Sequence, residues 1–285
     1  MNEKPLVSAI IATYKRAGLV TRAIGSVQRQ TYTNLEIIVV DDGSPDNTES
    51  VVRAIPDERI RYIRHEKNKG LPAGRNTGIR AAKGQYIAFL DDDDEWRVDK
   101  IERQLQLIEN YDAVLCGVLV DGWRLSIHPR STISLEDLKR GSFEPSGMLV
   151  KAAVIKELLF DENLRQGEDW DAFIRIAQRY TVGYDPEPLL LYSDGGHVRM
   201  TNEAKDMTPS ELEKRTAILQ KHRQFFGEKW FNYHMAGTFI SHIGSRRNKL
   251  GAIAYAVKRC GLGPVIAVVS DKVRRYVRAR TVDRA

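Results

Sequence analysis

Residues 85–97 read QYIAFLDDDDEWR, and this stretch decides how the first half of the chain is interpreted. Its first half, 85–90, is short, apolar and rich in β-forming residues, which predicts a buried strand. Four consecutive aspartates, 91–94, follow directly. Carboxylates about 4 Å apart repel by about 4 kcal/mol at an effective dielectric near 20, so four in a row need a neighbouring positive charge to offset their repulsion. A divalent cation would supply it; alternatively, the aspartates form a solvated loop or cap the next helix.

The sequence before this stretch repeats the same pattern of strand and helix. Almost continuously apolar runs at 6–12 and 35–40 predict parallel strands that are buried on both faces. Between them, apolar residues recur at helical spacing over 20–27, and a further predicted strand occupies 60–64. Strands alternate with helices over roughly the first 110 residues. This alternation predicts an α/β fold with a mostly parallel, Rossmann-like central sheet flanked by helices.

Polar segments follow three of the predicted strands, at 13–16 (TYKR), 41–44 (DDGS) and 91–94 (DDDD). In open α/β sheets ligands bind beyond the carboxyl ends of the strands, so we expect these segments to share one edge. Oxygen ligands without clustered His or Cys favour Mg²⁺ or Mn²⁺. The Asp41-Asp42 pair is open to two interpretations: simple turn chemistry, or a carboxylate that accepts a hydrogen bond from a nucleobase ring N–H.

Four segments in the same order and spacing resemble the signature blocks of the inverting glycosyltransferase family 2, which has the GT-A nucleotide-sugar fold and includes bacterial polysaccharide enzymes. The resemblance covers roughly residues 5–200. The segments are VSAIIATYKR (7–16), QTYTNLEIIVVDDGSPDNT (30–48), GLPAGRNTGIRAAKGQYIAFLDDDD (70–94) and GEDWDAFIRIA (167–177).

The resemblance implies a donor-binding role for six residues. Tyr14 would pack against uracil or another base, Asp42 would bond the base edge, and Asp92 would reach the ribose. Arg75 would hold the nucleotide and the neighbouring acidic groups, although an arginine there can also be a surface residue at the start of a helix. The nucleotide-sugar-binding set is Thr13, Tyr14, Arg16, Asp42, Arg75 and Asp92.

The resemblance also implies a metal site with Mn²⁺ or Mg²⁺ as the cofactor. Asp91 and Asp93 match the two acidic positions of a DxD motif, with Asp93 as the direct ligand. The register is ambiguous by one residue because four aspartates are consecutive. His197 would lie near the metal or the diphosphate on a glycine-containing loop; alternatively, it is merely exposed. The metal would neutralise charge on the leaving diphosphate.

Inverting transfer is a single displacement, so it needs a base that takes the proton of the acceptor hydroxyl. Asp169 matches the family's catalytic position, with Glu168 before it and Trp170 available to stack on a sugar. The same acidic residues would also stabilise the first turn of a helix. A further segment resembles the lining of the acceptor pocket. It comprises Ser146, Gly147 and Met148.

The basic charge of the protein is concentrated at its C-terminal end. The formal net charge is +6, but residues 244–285 carry eleven basic and two acidic side chains, so the rest sums to −3. After the polar stretch 202–210 the pattern becomes wholly helical. We therefore predict two domains, a GT-A domain at 1–205 and a basic helical extension at 206–285.

The last predicted helix carries an apolar stripe with basic neighbours. The stripe would lie on an anionic membrane surface, or else pack on the body or on a second subunit in a homodimer. We do not expect nucleic-acid binding, because no recognisable reader module accompanies the basic residues. The stripe comprises Ile266, Val269, Val273 and Tyr276.

Cysteine usage and the apolar runs predict a cytoplasmic location, including the inner face of the membrane. The two cysteines, Cys116 and Cys260, lie far apart in apolar contexts, as reduced thiols do. The N-terminus lacks a basic region followed by an apolar stretch, and no apolar run approaches a membrane span in length. The expected partners are a nucleotide-sugar donor, with UDP-linked sugars favoured, and a glycan or lipid-linked acceptor.

The same motifs bear on three other functions. A sugar-phosphate nucleotidyltransferase should carry a Gly-rich, Arg-containing loop after the first strand, where this chain has ATYKRAG (12–18). A dinucleotide-dependent dehydrogenase is disfavoured because GxGxxG is absent there. A non-catalytic nucleotide-binding scaffold stays open, although the carboxylate set of Asp42, Asp93 and Asp169 argues against it.

Overall fold

A computed structural model describes residues 4–121, 124–192, 207–241, 243 and 249–282. The chain divides into two compact units, Met1–Gly195 and Gly196–Ala285. The predicted domain boundary between residues 205 and 206 falls outside the described residues.

The first unit is built on one mixed sheet. Its strands are β1 (Val7–Thr13), β2 (Leu35–Asp41), β3 (Ile60–Arg64), β4 (Tyr86–Asp91), β5 (Glu95–Trp96), β6 (Ala113–Val120), β7 (Arg124–Ser126), β8 (Leu149–Lys151) and β9 (Val182–Tyr192). They run in the order β3-β2-β1-β4-β8-β6-β9-β5, and β7 pairs with β6.

Helices connect these strands, and a short 3₁₀ turn at Pro145–Gly147 precedes β8. The helices of this unit are α1 (Ala17–Gln28), α2 (Thr48–Arg53), α3 (Leu71–Ala81), α4 (Lys100–Ile108), α5 (Leu135–Arg140), α6 (Ala152–Leu158) and α7 (Glu168–Ala177).

The half of the sheet formed by β3, β2, β1 and β4 is parallel throughout. All seven residues of β1 are buried, as expected for a strand covered by helices on both faces. On one of those faces, Val20, Ile24 and Val27 of α1 join the hydrophobic core. The alternation of strands and helices predicted over the first 110 residues is confirmed.

The other half of the sheet mixes parallel and antiparallel pairs. Strand β9 extends over eleven residues, Val182–Tyr192. The first part of this strand contains Pro186 and Pro188, and proline is disfavoured inside strands, so the composition of this segment does not predict a strand. They are accommodated by a register shift against Gly117 of β6. A Cβ at Gly117 would lie 2.7 Å from the Pro186 carbonyl oxygen, so the close approach requires glycine.

The described part of the second unit is helical, and Thr208 and Glu211 form a capping box at its first helix. Gly227 has a φ of 64° and kinks the helix Arg223–Phe239. Among the described residues, no helix is both long and apolar enough to cross a membrane. The helices are α8 (Pro209–Lys214), α9 (Ala217–Lys221), α10 (Arg223–Phe239), α11 (Lys249–Cys260) and α12 (Leu262–Val282).

Candidate active site

The polar segments that follow β1, β2 and β4 lie at one edge of the sheet, as predicted. In the parallel register Thr13 is opposite Asp41, and Ala12 is opposite Asp91. Each strand therefore ends at the same level, and the residues that follow them are brought together. This edge is where an open α/β sheet binds ligands.

Asp92 joins the ends of β1 and β4. Its carboxylate accepts hydrogen bonds of 2.7 Å from the Thr13 hydroxyl and 2.7 Å from Arg16 Nη1. Arg16 Nη1 also lies 3.0 Å from Asp93 Oδ2. Burial raises the pKa of Asp92 to about 6, even though Arg16 and Thr13 oppose that shift. The structure thus brings together three of the predicted donor-binding residues and one predicted metal ligand.

Arg75 is buried and bridges the run of four aspartates at 91–94, called the aspartate loop below, to helix α7. Its Nη2 donates to Asp91 Oδ1 at 2.6 Å and its Nη1 donates to Glu168 Oε1 at 3.0 Å. The guanidinium also lies over the Phe160 ring, 5.2 Å from its centroid. The two carboxylates outweigh the effect of burial and raise the pKa of Arg75, so it stays charged. The alternative of an exposed surface arginine is wrong.

Asp169 lies in the first turn of α7, next to Glu168. Its Oδ1 accepts a hydrogen bond from the backbone N–H of Trp170 at 2.7 Å, and its Oδ2 lies 3.5 Å from the Ser142 hydroxyl. Burial raises the pKa of Asp169, with the Asp91 charge adding to the rise and Arg75 opposing it. Burial likewise raises the pKa of Glu168 to about 7. Trp170 is half-buried, and its indole N–H donates to the Leu138 carbonyl at 2.7 Å.

Asp94 and Ser146 support the aspartate loop from the interior, a role that sequence reasoning missed. The Ser146 hydroxyl donates to Asp94 Oδ2 at 2.7 Å and accepts from the Asp91 backbone N–H at 3.0 Å. Asp94 Oδ1 is buried without a hydrogen-bond partner among the described residues. Burial and then the charges of Asp91 and Asp93 raise the pKa of Asp94 to about 9. Only the run of four aspartates hinted at a special role for Asp94.

Trp96, Lys100 and Gln104 form a second buried group. It holds the 3₁₀ turn at Pro145–Gly147, which carries Ser146. Trp96 Nε1 donates to the Ser146 carbonyl at 2.8 Å, and Gln104 Nε2 donates to the Gly147 carbonyl at 2.8 Å. The ammonium of Lys100 is fully buried, 2.7 Å from Gln104 Oε1 and 4.3 Å from the centroid of the Trp96 ring. No sequence signal marks Lys100, since a lysine near a helix start is ordinarily exposed.

Asp42 is buried and bonded within the protein. Its Oδ1 lies 2.7 Å from His65 Nδ1 and accepts from the Lys69 N–H at 2.8 Å; its Oδ2 accepts from the Gly70 N–H at 2.7 Å. These contacts fix the loop that enters α3. The contact between Asp42 and a base edge stays a prediction.

The other predicted residues differ in exposure. Tyr14 is 37% exposed at the end of β1, so its ring is accessible to a flat ligand. Ser146 and Met148 are buried, and Gly147 is buried in the turn between them, so an acceptor-lining role for the three stays a prediction. His197 lies outside the described residues.

The carboxylates at this edge are oxygen donors of the type that a hard divalent cation prefers. Within the described parts of the chain, no three His, Cys, Asp or Glu side chains form a full metal site by themselves. Mg²⁺ is commonly held by one or two carboxylates together with substrate phosphates, and Asp91 and Asp93 offer two at the strand end. The Asp91 side chain is 28% exposed at that edge. The oxygen donors match Mg²⁺ or Mn²⁺ in type.

Comparison with known proteins agrees with this geometry. Residues 8–151 match the family model of glycosyl transferase family 2. The chain is 33% identical over 249 residues to WcaA of Escherichia coli (strain K12), a glycosyl transferase assigned to colanic acid biosynthesis, which covers 82% of this chain and 88% of WcaA. Five further relatives, uncharacterized glycosyltransferases from Rickettsia species, are longer, and the matches span 27% to 63% of their lengths.

Solved structures share the fold. S. aureus TarS, residues 1–349 in complex with UDP-GlcNAc, has a TM-score of 0.67 and 18% identity, covering 98% of this chain and 88% of that one. The mannosyltransferase PcManGT from Pyrobaculum calidifontis, in complex with GDP-Man and Mn²⁺, has a TM-score of 0.63 and 18% identity, covering 97% and 81%.

The sheet, with carboxylates and an arginine gathered at the carboxyl ends of its parallel strands, has the GT-A architecture of nucleotide-sugar-dependent glycosyltransferases. The chain belongs to glycosyl transferase family 2 and is of the bacterial polysaccharide type. Both the fold class and the family that the sequence resembles are confirmed.

Proposed function

We propose that the protein is a metal-dependent, inverting glycosyltransferase that moves a hexosyl unit from a UDP-linked donor to a hydroxyl group of a glycan or lipid-linked acceptor. The TarS complex with UDP-GlcNAc supports a UDP-linked donor. The PcManGT complex with GDP-Man and Mn²⁺ supports a divalent cation and keeps a GDP-linked sugar as the alternative.

The donor would bind at the carboxyl ends of β1, β2 and β4. Tyr14 is accessible and would stack on the base, and Asp42 would face its edge. Asp92, anchored by Thr13, would reach the ribose. Asp91 and Asp93 would hold Mg²⁺ or Mn²⁺, with His197 as a further candidate. When bound, the cation stabilises the negative charge of the departing diphosphate.

Asp169 would act as the base in a single displacement. The acceptor oxygen attacks the anomeric carbon on the side opposite the diphosphate while its proton passes to the Asp169 carboxylate. The bond between that carbon and the diphosphate oxygen breaks, and its electron pair leaves with the nucleoside diphosphate. Because burial raises the pKa of Asp169, its carboxylate is a stronger base than an exposed one.

The buried bridge through Arg75 is the observation that carries this proposal. It joins Asp91 on the donor side to Glu168 on the base side with bonds of 2.6 and 3.0 Å. Charged groups are rarely buried unless paired, so this pairing is a specific feature of the fold. It supports a single cleft in which metal, donor and base act on the same sugar.

Asp169→Asn tests the assignment of the base. We expect this variant to lose transfer by a factor of about 10²–10⁴, since general base catalysis contributes that much. UDP-sugar binding, measured by titration calorimetry with Mn²⁺, should be nearly unchanged. A matched control is Asp99→Asn, which also lies at a helix start and pairs with Arg97. Loss of donor binding in Asp169→Asn, or full retention of transfer, would overturn the assignment.

A donor panel tests the reaction itself. Purified protein with Mn²⁺ should be stabilised by UDP-linked sugars and should release UDP when an acceptor is added. Failure of every nucleotide sugar to bind or be consumed would refute the transferase proposal. Pyrophosphate release from a nucleoside triphosphate and a sugar phosphate would instead identify a nucleotidyltransferase.

A further inference from the structure

Helix α12 presents an apolar stripe to solvent. Four large apolar residues, separated by four, three and four positions, fall on one helical face. A stripe of this length on one helix is more than the scattered exposed apolar residues that any surface carries. The exposed fractions are 61% for Leu262, 54% for Ile266, 44% for Val269 and 55% for Val273.

The same helix already packs through a different face. Val265 and Val268 are each only 4% exposed. The Tyr233 hydroxyl of α10 donates to Asp271 at 2.8 Å, and Lys272 Nζ donates to the Ile240 carbonyl at 3.0 Å. The exposed stripe is therefore additional to the face that holds α12 against its neighbours.

The charge around the stripe indicates which surface would cover it. Residues 249–282 contain eight basic side chains and one acidic side chain, Asp271. A second copy of the chain would bring the same excess of positive charge and be repelled. A nucleic acid would complement the positive charge, but it has no apolar layer that could cover the stripe. An anionic lipid bilayer has both negative charge and an apolar layer. Lys249, Lys258 and Arg274 are exposed in this region. Arg259 is also exposed but is paired with Glu213, and Lys272 is exposed with its ammonium on the Ile240 carbonyl.

We propose that α12 docks on an anionic lipid bilayer, with its apolar stripe at the boundary of headgroups and acyl chains and its basic residues on the headgroups. The helix lies on the bilayer and does not cross it. Docking would bring the enzyme to a surface where lipid-linked acceptors are available. The stripe shares no residue with the candidate active site, so the inference does not depend on the proposed reaction.

Vesicle flotation of the full chain tests this docking. The probes are phosphatidylcholine vesicles with and without about 30% phosphatidylglycerol. Wild type should float with the anionic vesicles and stay largely behind with the neutral ones. Ile266→Glu with Val269→Glu should reduce the partition coefficient at least about tenfold. The matched control is Val98→Glu with Ile127→Glu, which makes the same change at residues 47% and 45% exposed in the first unit, and it should float like wild type.

A second variant tests the charge separately and guards against misfolding. Lys258→Gln with Arg274→Gln should weaken binding by roughly fivefold per residue, and added salt should abolish the difference. Circular dichroism melting confirms that each variant is folded. Equal flotation of wild type and both double variants would overturn the proposal. So would a wild-type dimer in sedimentation that Ile266→Glu with Val269→Glu converts to monomer without changing flotation, since a second copy would then cover the stripe.

Discussion

Burial moves the pKa of several ionisable side chains in this protein, and the consequences differ with the sign of the charge. The pKa values of Asp169 and Glu168 are raised, so these carboxyl groups hold their protons to a higher pH than exposed acids do. The pKa of Lys100 is lowered, so its ammonium group releases its proton at a lower pH than that of an exposed lysine. Both effects arise because a low-dielectric interior disfavours the charged form.

The raised pKa of Asp169 predicts the acid limb of the activity profile. The base must be ionised, so kcat/KM should fall as the pH drops through a value above 3.8, the ordinary pKa of an aspartate. The measurement is kcat/KM from about pH 4 to 9 at saturating Mn²⁺. A profile that stays flat down to about pH 4 would contradict a raised pKa at the catalytic base.

The lowered pKa of Lys100 predicts that the stability of the protein depends on pH. Burial lowers its pKa in the folded protein from 10.5 to about 8. Between these values the unfolded chain binds the proton and the folded protein does not, so this residue's contribution to stability rises with pH. Relative to Lys100→Met, wild type should gain about 2–3 kcal/mol of unfolding free energy between about pH 7 and 10.

Denaturant unfolding at several pH values measures this gain. The control is Lys83→Met, which makes the same change at an exposed lysine. If Lys100→Met and wild type keep a constant difference in stability over that range, the lysine does not lose its proton on burial.

At the scale of elements, helix α3 places Arg75 because it packs closely on β1. A Cβ at Gly78 would lie 2.4 Å from Ile10 Cγ2, so glycine is needed where the helix crosses the strand. The neighbouring residue Asn76 bonds the Phe160 backbone with both amide atoms at 2.9 and 2.8 Å. Helix α3 is thus fixed to the sheet on one side and to the chain before α7 on the other.

Gly78→Ala should destabilise the protein by about 1–3 kcal/mol, because the added methyl group forces a shift of α3 or of Ile10. It should also lower kcat/KM, since Arg75 moves with the helix. The control is Gly18→Ala in α1, where a Cβ meets nothing within 4 Å. That change should be neutral or stabilising by up to about 1 kcal/mol. Equal melting temperatures for the two variants would argue against close packing at Gly78.

The strands and helices of the first half were predictable because each is encoded locally. Continuous apolar runs identify β1 and β2, and the 3.6-residue period identifies α1. Short strands such as β5, β7 and β8 were not predicted. They have two or three residues each, and their strand character comes from pairing with a neighbour rather than from their own composition.

At the scale of the whole molecule, the chain contains two compact units, and the described residues of the proposed donor site belong to the first. Binding stabilises only the folded unit that contains the site, by about 2.7 kcal/mol at one hundred times Kd. Calorimetry with UDP and Mn²⁺ should therefore raise the transition of the first unit and leave that of the second unchanged. With EDTA in place of Mn²⁺ the shift should shrink.

A single transition that moves as a whole would show that the two units unfold together. A shift of equal size with EDTA would contradict metal-assisted donor binding.

The sequence by itself determined the fold class, the family and the edge of the sheet that carries the site, since periodicity and the residues at strand ends are local features. It also marked most of the candidate residues. Tertiary structure alone decided their partners: Arg75 lies 93 positions from Glu168, and Thr13 lies 79 positions from Asp92, yet both pairs are hydrogen-bonded. Such pairs depend on strand order and helix packing. A chain folded in three dimensions brings together residues that no local pattern connects.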